Sequence, residues 1–213
     1  MTTIGFLHTA EVHVPAFHGL FTAMAPPGLA DRHLVDATLL ADARATGVTP
    51  ELAGRIAGRL GELAGAGAEL IVCTCSTIGA DAERAAVGVP VLRLDRPMAD
   101  AAVAAGERIA VVATVESTME PTTALLRECA ERAGRPVTLI PSPCYPAWRH
   151  FEAGDAEAYA REIAGHVRAL AATADVFVLA QASMAGAVPL LPGLPVLASP
   201  PAAVREAIRR ATS

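Results

Sequence analysis

The feature that most constrains the fold of this chain is that it repeats itself once. The stretch Ile4–Thr9 (IGFLHT) aligns with Ile109–Thr114 (IAVVAT) at an offset of 105 residues. Glu69–Thr77 (ELIVCTCST) aligns with Asp175–Ser183 (DVFVLAQAS) at 106, and Pro90–Leu92 (PVL) with Pro195–Leu197 (PVL) again at 105. The helical segments ahead of the second pair even share a fragment, Ile56-Ala57-Gly58 and Ile163-Ala164-Gly165. Agreement in order, spacing and character across nearly the whole length predicts two copies of one unit, 1–104 and 105–213, with the helix that ends the first half free to pack on the second lobe.

Each unit reads as α/β. Short apolar, β-branched runs alternate with alanine-rich helical patterns, which is the pattern of a parallel sheet with crossover helices. The predicted strands are Ile4–Thr9, His33–Asp36, Glu69–Thr74, Pro90–Asp95, Arg108–Thr114, Pro136–Pro141, Asp175–Ala180 and Pro195–Ser199. Their near-continuous hydrophobicity fits strands covered on both faces. Glu51–Ala64 and Ala156–Ala171 carry helical periodicity. The expected architecture is therefore two pseudo-symmetric, flavodoxin-like lobes with a cleft between them.

Composition removes several function classes. Of 213 residues 53% are hydrophobic, which suits a globular chain, and no apolar run approaches the roughly 20 residues of a membrane helix. The N-terminal stretch lacks the basic head and apolar body of a secretory signal, so the expected location is cytoplasmic. A net charge of −5 and only 4% aromatics argue against a nucleic-acid partner. All seventeen basic residues are arginine, which excludes a Schiff-base lysine and a phosphate-binding P-loop. Cys73 and Cys75 are separated by one residue, with no matching pair at zinc-finger spacing, so neither metal nor cofactor is expected.

Parallel α/β units bind ligands outside the carboxyl ends of their strands. In the first half those ends carry His8, Thr9, Cys75, Ser76 and Thr77; in the second they carry Thr114, Gln181 and Ser183. A thiol acts as base or nucleophile only as thiolate, and a helix starting near Ile78–Asp81 would favour that charge at Cys75. The same N–H groups, with the hydroxyls of Thr9, Ser76, Thr77, Thr114 and Ser183, would cradle a carboxylate. His8 ends the first strand and is the candidate acid or base, ahead of His13, His18, His33 and His150. Cys73 reads as a buried small hydrophobe. Cys129 falls in a helical run and Cys144 in a Pro-rich loop, without assigned roles.

These strand ends resemble the aspartate/glutamate/hydantoin racemase superfamily, which includes maleate isomerase and arylmalonate decarboxylase. The resemblance rests on the duplicated lobes, on Cys75-Ser76-Thr77, on Ala113-Thr114, and on the segment Leu179–Met184. It implies cofactor-independent chemistry at the α-carbon of a small carboxylate, with one cysteine per lobe acting on opposite faces, and a possible homodimer. Cys75 matches the first family cysteine. Gln181 stands where the second is expected, and an amide is neither acid nor base near neutrality. Three readings follow: isomerase or lyase chemistry through Cys75 alone, a carboxylate-binding member without catalysis, or a hydrolase pairing Cys75 with His8.

Overall fold

In the computed structural model, which describes residues 2–213, all eight predicted runs form strands. The chain divides into two compact units, residues 1–94 with 200–213, and residues 95–199. The units are not simple sequence halves. The helix that follows the fourth strand belongs with the second unit, and the last helix belongs with the first.

The first unit holds strands β1 (Thr2–His8), β2 (Leu29–Val35), β3 (Ala68–Cys73) and β4 (Val91–Arg93) in the order β2-β1-β3-β4, all parallel. Its helices are α1 (His13–Met24), α2 (Ala37–Thr46), α3 (Pro50–Gly65) and α4 (Ser76–Arg84). β1 and β3 are central and almost wholly buried, whereas β2 is an edge strand and tolerates Asp31, Arg32 and His33.

Helix α3 shows why the local sequence folds this way. Thr49 caps it by accepting the Leu52 N–H at 3.2 Å, Pro50 opens the first turn, and Leu52, Ile56, Leu60 and Leu63 form one apolar stripe. That stripe packs with Leu7, Ile71 and Cys73 on one face of the sheet. The other face of β1 carries Phe6 against Phe17 and Phe21 of α1.

The second unit repeats the plan. Strands β5 (Arg108–Ala113), β6 (Thr138–Pro143), β7 (Val176–Leu179) and β8 (Val196–Ala198) run parallel in the order β6-β5-β7-β8. Registers match as well: Leu7 pairs with Cys73 in the first sheet, and Val112 with Leu179 in the second. β6 runs on to Pro143, past the predicted end at Pro141; prolines are tolerated because β6 is an edge.

One face of this sheet is covered by α5 (Arg96–Ala105) and α6 (Glu116–Ala133), through Met98, Ala102, Val103, Leu125 and Leu126. The short α7 (Trp148–Glu152) and α8 (Ala156–Ala169) follow β6, and α8 covers the opposite face with Tyr159, Ile163 and Val167. The chain closes with α9 (Ser199–Ala211). Among the described residues no helix is long and apolar enough to cross a membrane.

Candidate functional site

The first unit's strand end is tighter than the sequence suggests. Helix α4 begins at Ser76, not near Ile78–Asp81, so Cys75 is its N-cap residue, with extended φ −114° and ψ 115° and no capping bond from its side chain. Cys75 is buried, at 8% exposure, at the helix end whose first-turn N–H groups have no intrahelical acceptor. Ser76 is buried and Thr77 half-buried in that same first turn. Cys73 is fully buried, and its Sγ donates to the Cys75 carbonyl at 3.8 Å.

β4 ends at Arg93, two residues before the predicted limit, and this brings in a cation that sequence reasoning missed. Arg93 pairs in register with Cys73, is buried at 3% exposure, and packs on Gly79 of α4. A Cβ at position 79 would sit 3.3 Å from both Cβ and Nε of Arg93. Gly79 is thus what lets a buried guanidinium lie against the first turns of α4.

His8 sits in a buried hydrogen-bond chain. Its Nδ1 lies 2.9 Å from Thr74 Oγ1, and Thr74 donates its hydroxyl to the Leu7 carbonyl at 3.0 Å. Its Nε2 lies 2.8 Å from His33 Nδ1, and His33 Nε2 lies 2.9 Å from Asp31 Oδ2, which His18 Nδ1 also reaches at 2.7 Å. Phe6 stacks on His33 at 5.1 Å and Phe17 leans on His8 at 5.4 Å, lining the inner end of the chain with aromatic rings.

Burial, with His33 and His13 nearby, pulls His8 down to about 3, so its ring is neutral near pH 7. Burial also lowers His13. Burial opposes the charge on Asp31, but hydrogen bonds from His33 and His18 outweigh it and hold the carboxyl below its usual range. Both nitrogens of His8 are engaged, which leaves no free base for a Cys75–His8 dyad. Thr9, the residue after His8, is buried at 6% exposure.

In the second unit Gln181, Thr114 and Ser183 come together around a residue the sequence did not flag. Gln181 has the same address as Cys75: it is the N-cap of a 3-10 helix (Ala182–Leu190), with φ −121° and ψ 144°. Its Oε1 accepts the Thr114 N–H at 2.7 Å, and its Nε2 donates to Thr114 Oγ1 at 3.0 Å. Thr114 Oγ1 is 2.8 Å from the Tyr159 hydroxyl, which is 3.1 Å from Ser183 Oγ. Burial pushes the Tyr159 phenol up, against hydrogen bonds from Ser183 and Thr114, so it stays a neutral bridge. On sequence alone Tyr159 is one more apolar position of α8.

All four cysteines are free. Burial and then Asp100 push Cys129 up to about 12, and burial and then Glu162 push Cys144 up. Neither is set up as a thiolate. His150 pairs with Glu162 at 2.8 Å.

A sequence model of the Asp/Glu/Hydantoin racemase family matches residues 13–207. No curated protein matches the sequence significantly. Among solved structures, aspartate racemase from Picrophilus torridus is similar with a TM-score of 0.78 at 13% identity, over 100% of this chain and 95% of that one. Allantoin racemase from Klebsiella pneumoniae is similar at 0.70 and 15% identity, over 100% and 88%. So is a liganded double mutant of arylmalonate decarboxylase, with one glycine changed to cysteine and one cysteine to serine, at 0.60 and 20% over 99% and 93%. At such identities the likeness is one of fold.

Proposed function

The chain belongs to the Asp/Glu/hydantoin racemase family, and we propose that within it the protein is a cofactor-independent isomerase or lyase acting at the α-carbon of a small carboxylate through one thiol, Cys75. The observation that carries this reading is the pair of N-caps. Equivalent positions at the two strand ends hold a cysteine without a capping bond in one unit and an amide bonded to Thr114 in the other.

In this reading the N–H groups of the first turn of α4, with Ser76 and Thr77, hold the substrate carboxylate. The positive end of the helix favours both that anion and the Cys75 thiolate. Cys75 exchanges a proton with the α-carbon from one face or adds to an activated double bond. Gln181 supplies no proton, so symmetrical two-base racemisation is not expected. Thr9, Thr114 and Ser183 remain candidate substrate contacts, of which Thr114 and Ser183 are already tied to Tyr159. His8, neutral and doubly bonded, is a positioning group that acts through Thr74, the residue before Cys75.

The locked amide of Gln181 equally favours a second reading, a carboxylate-binding protein without turnover. Deuterium uptake in D₂O, followed by NMR over amino acids, hydantoins, maleate and arylmalonates, separates the two. Catalysis predicts uptake at one carbon that Cys75→Ala abolishes and Cys73→Ala leaves intact, with racemisation gained in Gln181→Cys. Thermal stabilisation by a carboxylate with no exchange in any variant establishes the binding reading instead.

A further inference from the structure

We propose that His18, Asp31 and His33 form a binding site for one divalent transition-metal cation of the Zn²⁺ class. The inference goes beyond the reading above and does not rest on it. Asp31 and His33 lie two residues apart on β2 and so share one face of the edge strand. α1 packs over that face and brings His18 to the same carboxylate. One ligand atom from each of the three residues lies within 4.8 Å of the others. Two imidazoles and a carboxylate are a donor set that suits first-row divalent ions and leaves coordination positions for water. His18 is 61% exposed at its side chain, whereas Asp31 and His33 are at 13% and 14%, so the cluster has a fixed floor and an open entry.

The second argument is the polarity of the buried chain behind His33. The Thr74 hydroxyl donates to the Leu7 carbonyl, which has no proton to give, so Thr74 Oγ1 must accept from His8 Nδ1. His8 Nε2 lies 2.8 Å from His33 Nδ1, so the second ring nitrogen of His33 is held by a fully buried imidazole. His33 then presents Nε2 to the Asp31 carboxylate at 2.9 Å. Metal-binding histidines characteristically donate their second N–H to a fixed acceptor, and here that acceptor is a buried imidazole anchored by a threonine. Nothing in the sequence spacing announces the site, because His18 and the β2 pair meet only through the packing of α1.

The test uses the full chain, stripped with chelator and titrated with Zn²⁺ by calorimetry and by competition with a chromophoric chelator. We expect one ion per chain, with affinity reduced more than about tenfold in His18→Ala and in Asp31→Asn, and unchanged in His150→Ala. His18 is exposed and Asp31→Asn is nearly isosteric, so circular dichroism should show both variants folded. X-ray absorption of the loaded protein should show nitrogen and oxygen neighbours only. Failure to bind, binding that survives both substitutions, or a sulfur neighbour would overturn the proposal and leave a proton between His33 and Asp31.

Discussion

Replacing Thr74 by valine probes the link between His8 and the strand that carries Cys75. Thr74 is 3% exposed and valine has nearly its shape, so the substitution removes the hydroxyl and little else. Two hydrogen bonds go. The Leu7 carbonyl keeps the backbone N–H of Thr74 at 2.9 Å, so its loss is small. His8 Nδ1–H has no other acceptor among the described hydrogen bonds and is fully buried, so it bears the full penalty of an unsatisfied donor, about 1–3 kcal/mol. Thr74→Ser keeps the hydroxyl and loses one methyl, about 1 kcal/mol. In a His8→Phe background, lined by Phe6 and Phe17, the valine should cost close to nothing. Urea unfolding followed by far-ultraviolet circular dichroism measures all four states of the cycle. The sole tryptophan, Trp148, belongs to the second unit, so its fluorescence is the wrong probe. A coupling energy below about 0.5 kcal/mol between positions 8 and 74 would refute the hydrogen-bond argument.

Two further predictions test the frame around the sites. In Gly106→Ala the new Cβ would meet Asp175 Cβ at 2.6 Å and displace the carboxylate that accepts from the N–H groups of Glu107 and Arg108; calorimetry should show a loss of about 1–3 kcal/mol, while Gly58→Ala in open space gains up to about 1. Asp36 caps α2 through Thr38 N at 3.0 Å and pairs with Arg59 at 2.8 Å; burial opposes its charge, but these partners outweigh it and lower the pKa, so its contribution is present above an unfolded value of about 3.9 and is lost as pH falls through the folded value. Asp36→Asn should therefore differ from wild type in urea stability at pH 7 and converge on it in strong acid.

The strands were legible because parallel sheets covered on both faces write themselves as unbroken apolar runs, and the duplication doubled the signal. The start of α4 was not, because Ser76 and Thr77 read equally as loop hydroxyls and as a first helical turn. The His8–His33 contact is invisible along the chain. It exists because β2 pairs with β1 so that Phe6 lies beside His33 and His8 beside Val35, a register that only the folded sheet fixes. Arg93 was hidden by a strand end placed two residues too far on, and Tyr159 by an apolar helix stripe that it also serves. What sequence reasoning missed are side chains whose role comes from a neighbour across the sheet.

The two units solve the same problem one residue apart, and that offset bears on which of them carries the chemistry. Each ties the end of its first strand to the end of its third by side-chain hydrogen bonds. In the first unit the tie joins His8 to Thr74; in the second it joins Thr114 to Gln181. By the internal alignment, Thr114 corresponds to Thr9 and Gln181 to Cys75, so the second tie lies one position further along both strands. The buried bridge of the first unit therefore falls one residue short of the N-cap and leaves the Cys75 thiol without a capping bond. In the second unit the bridge falls on the N-cap itself, and the amide of Gln181 is spent on holding Thr114. A side chain holding two hydrogen bonds in its own unit is fixed in place with one N–H and one lone pair left, whereas a thiol at the mouth of a helix keeps its lone pairs. The asymmetry thus extends beyond the identity of residues 75 and 181 to the network beneath each.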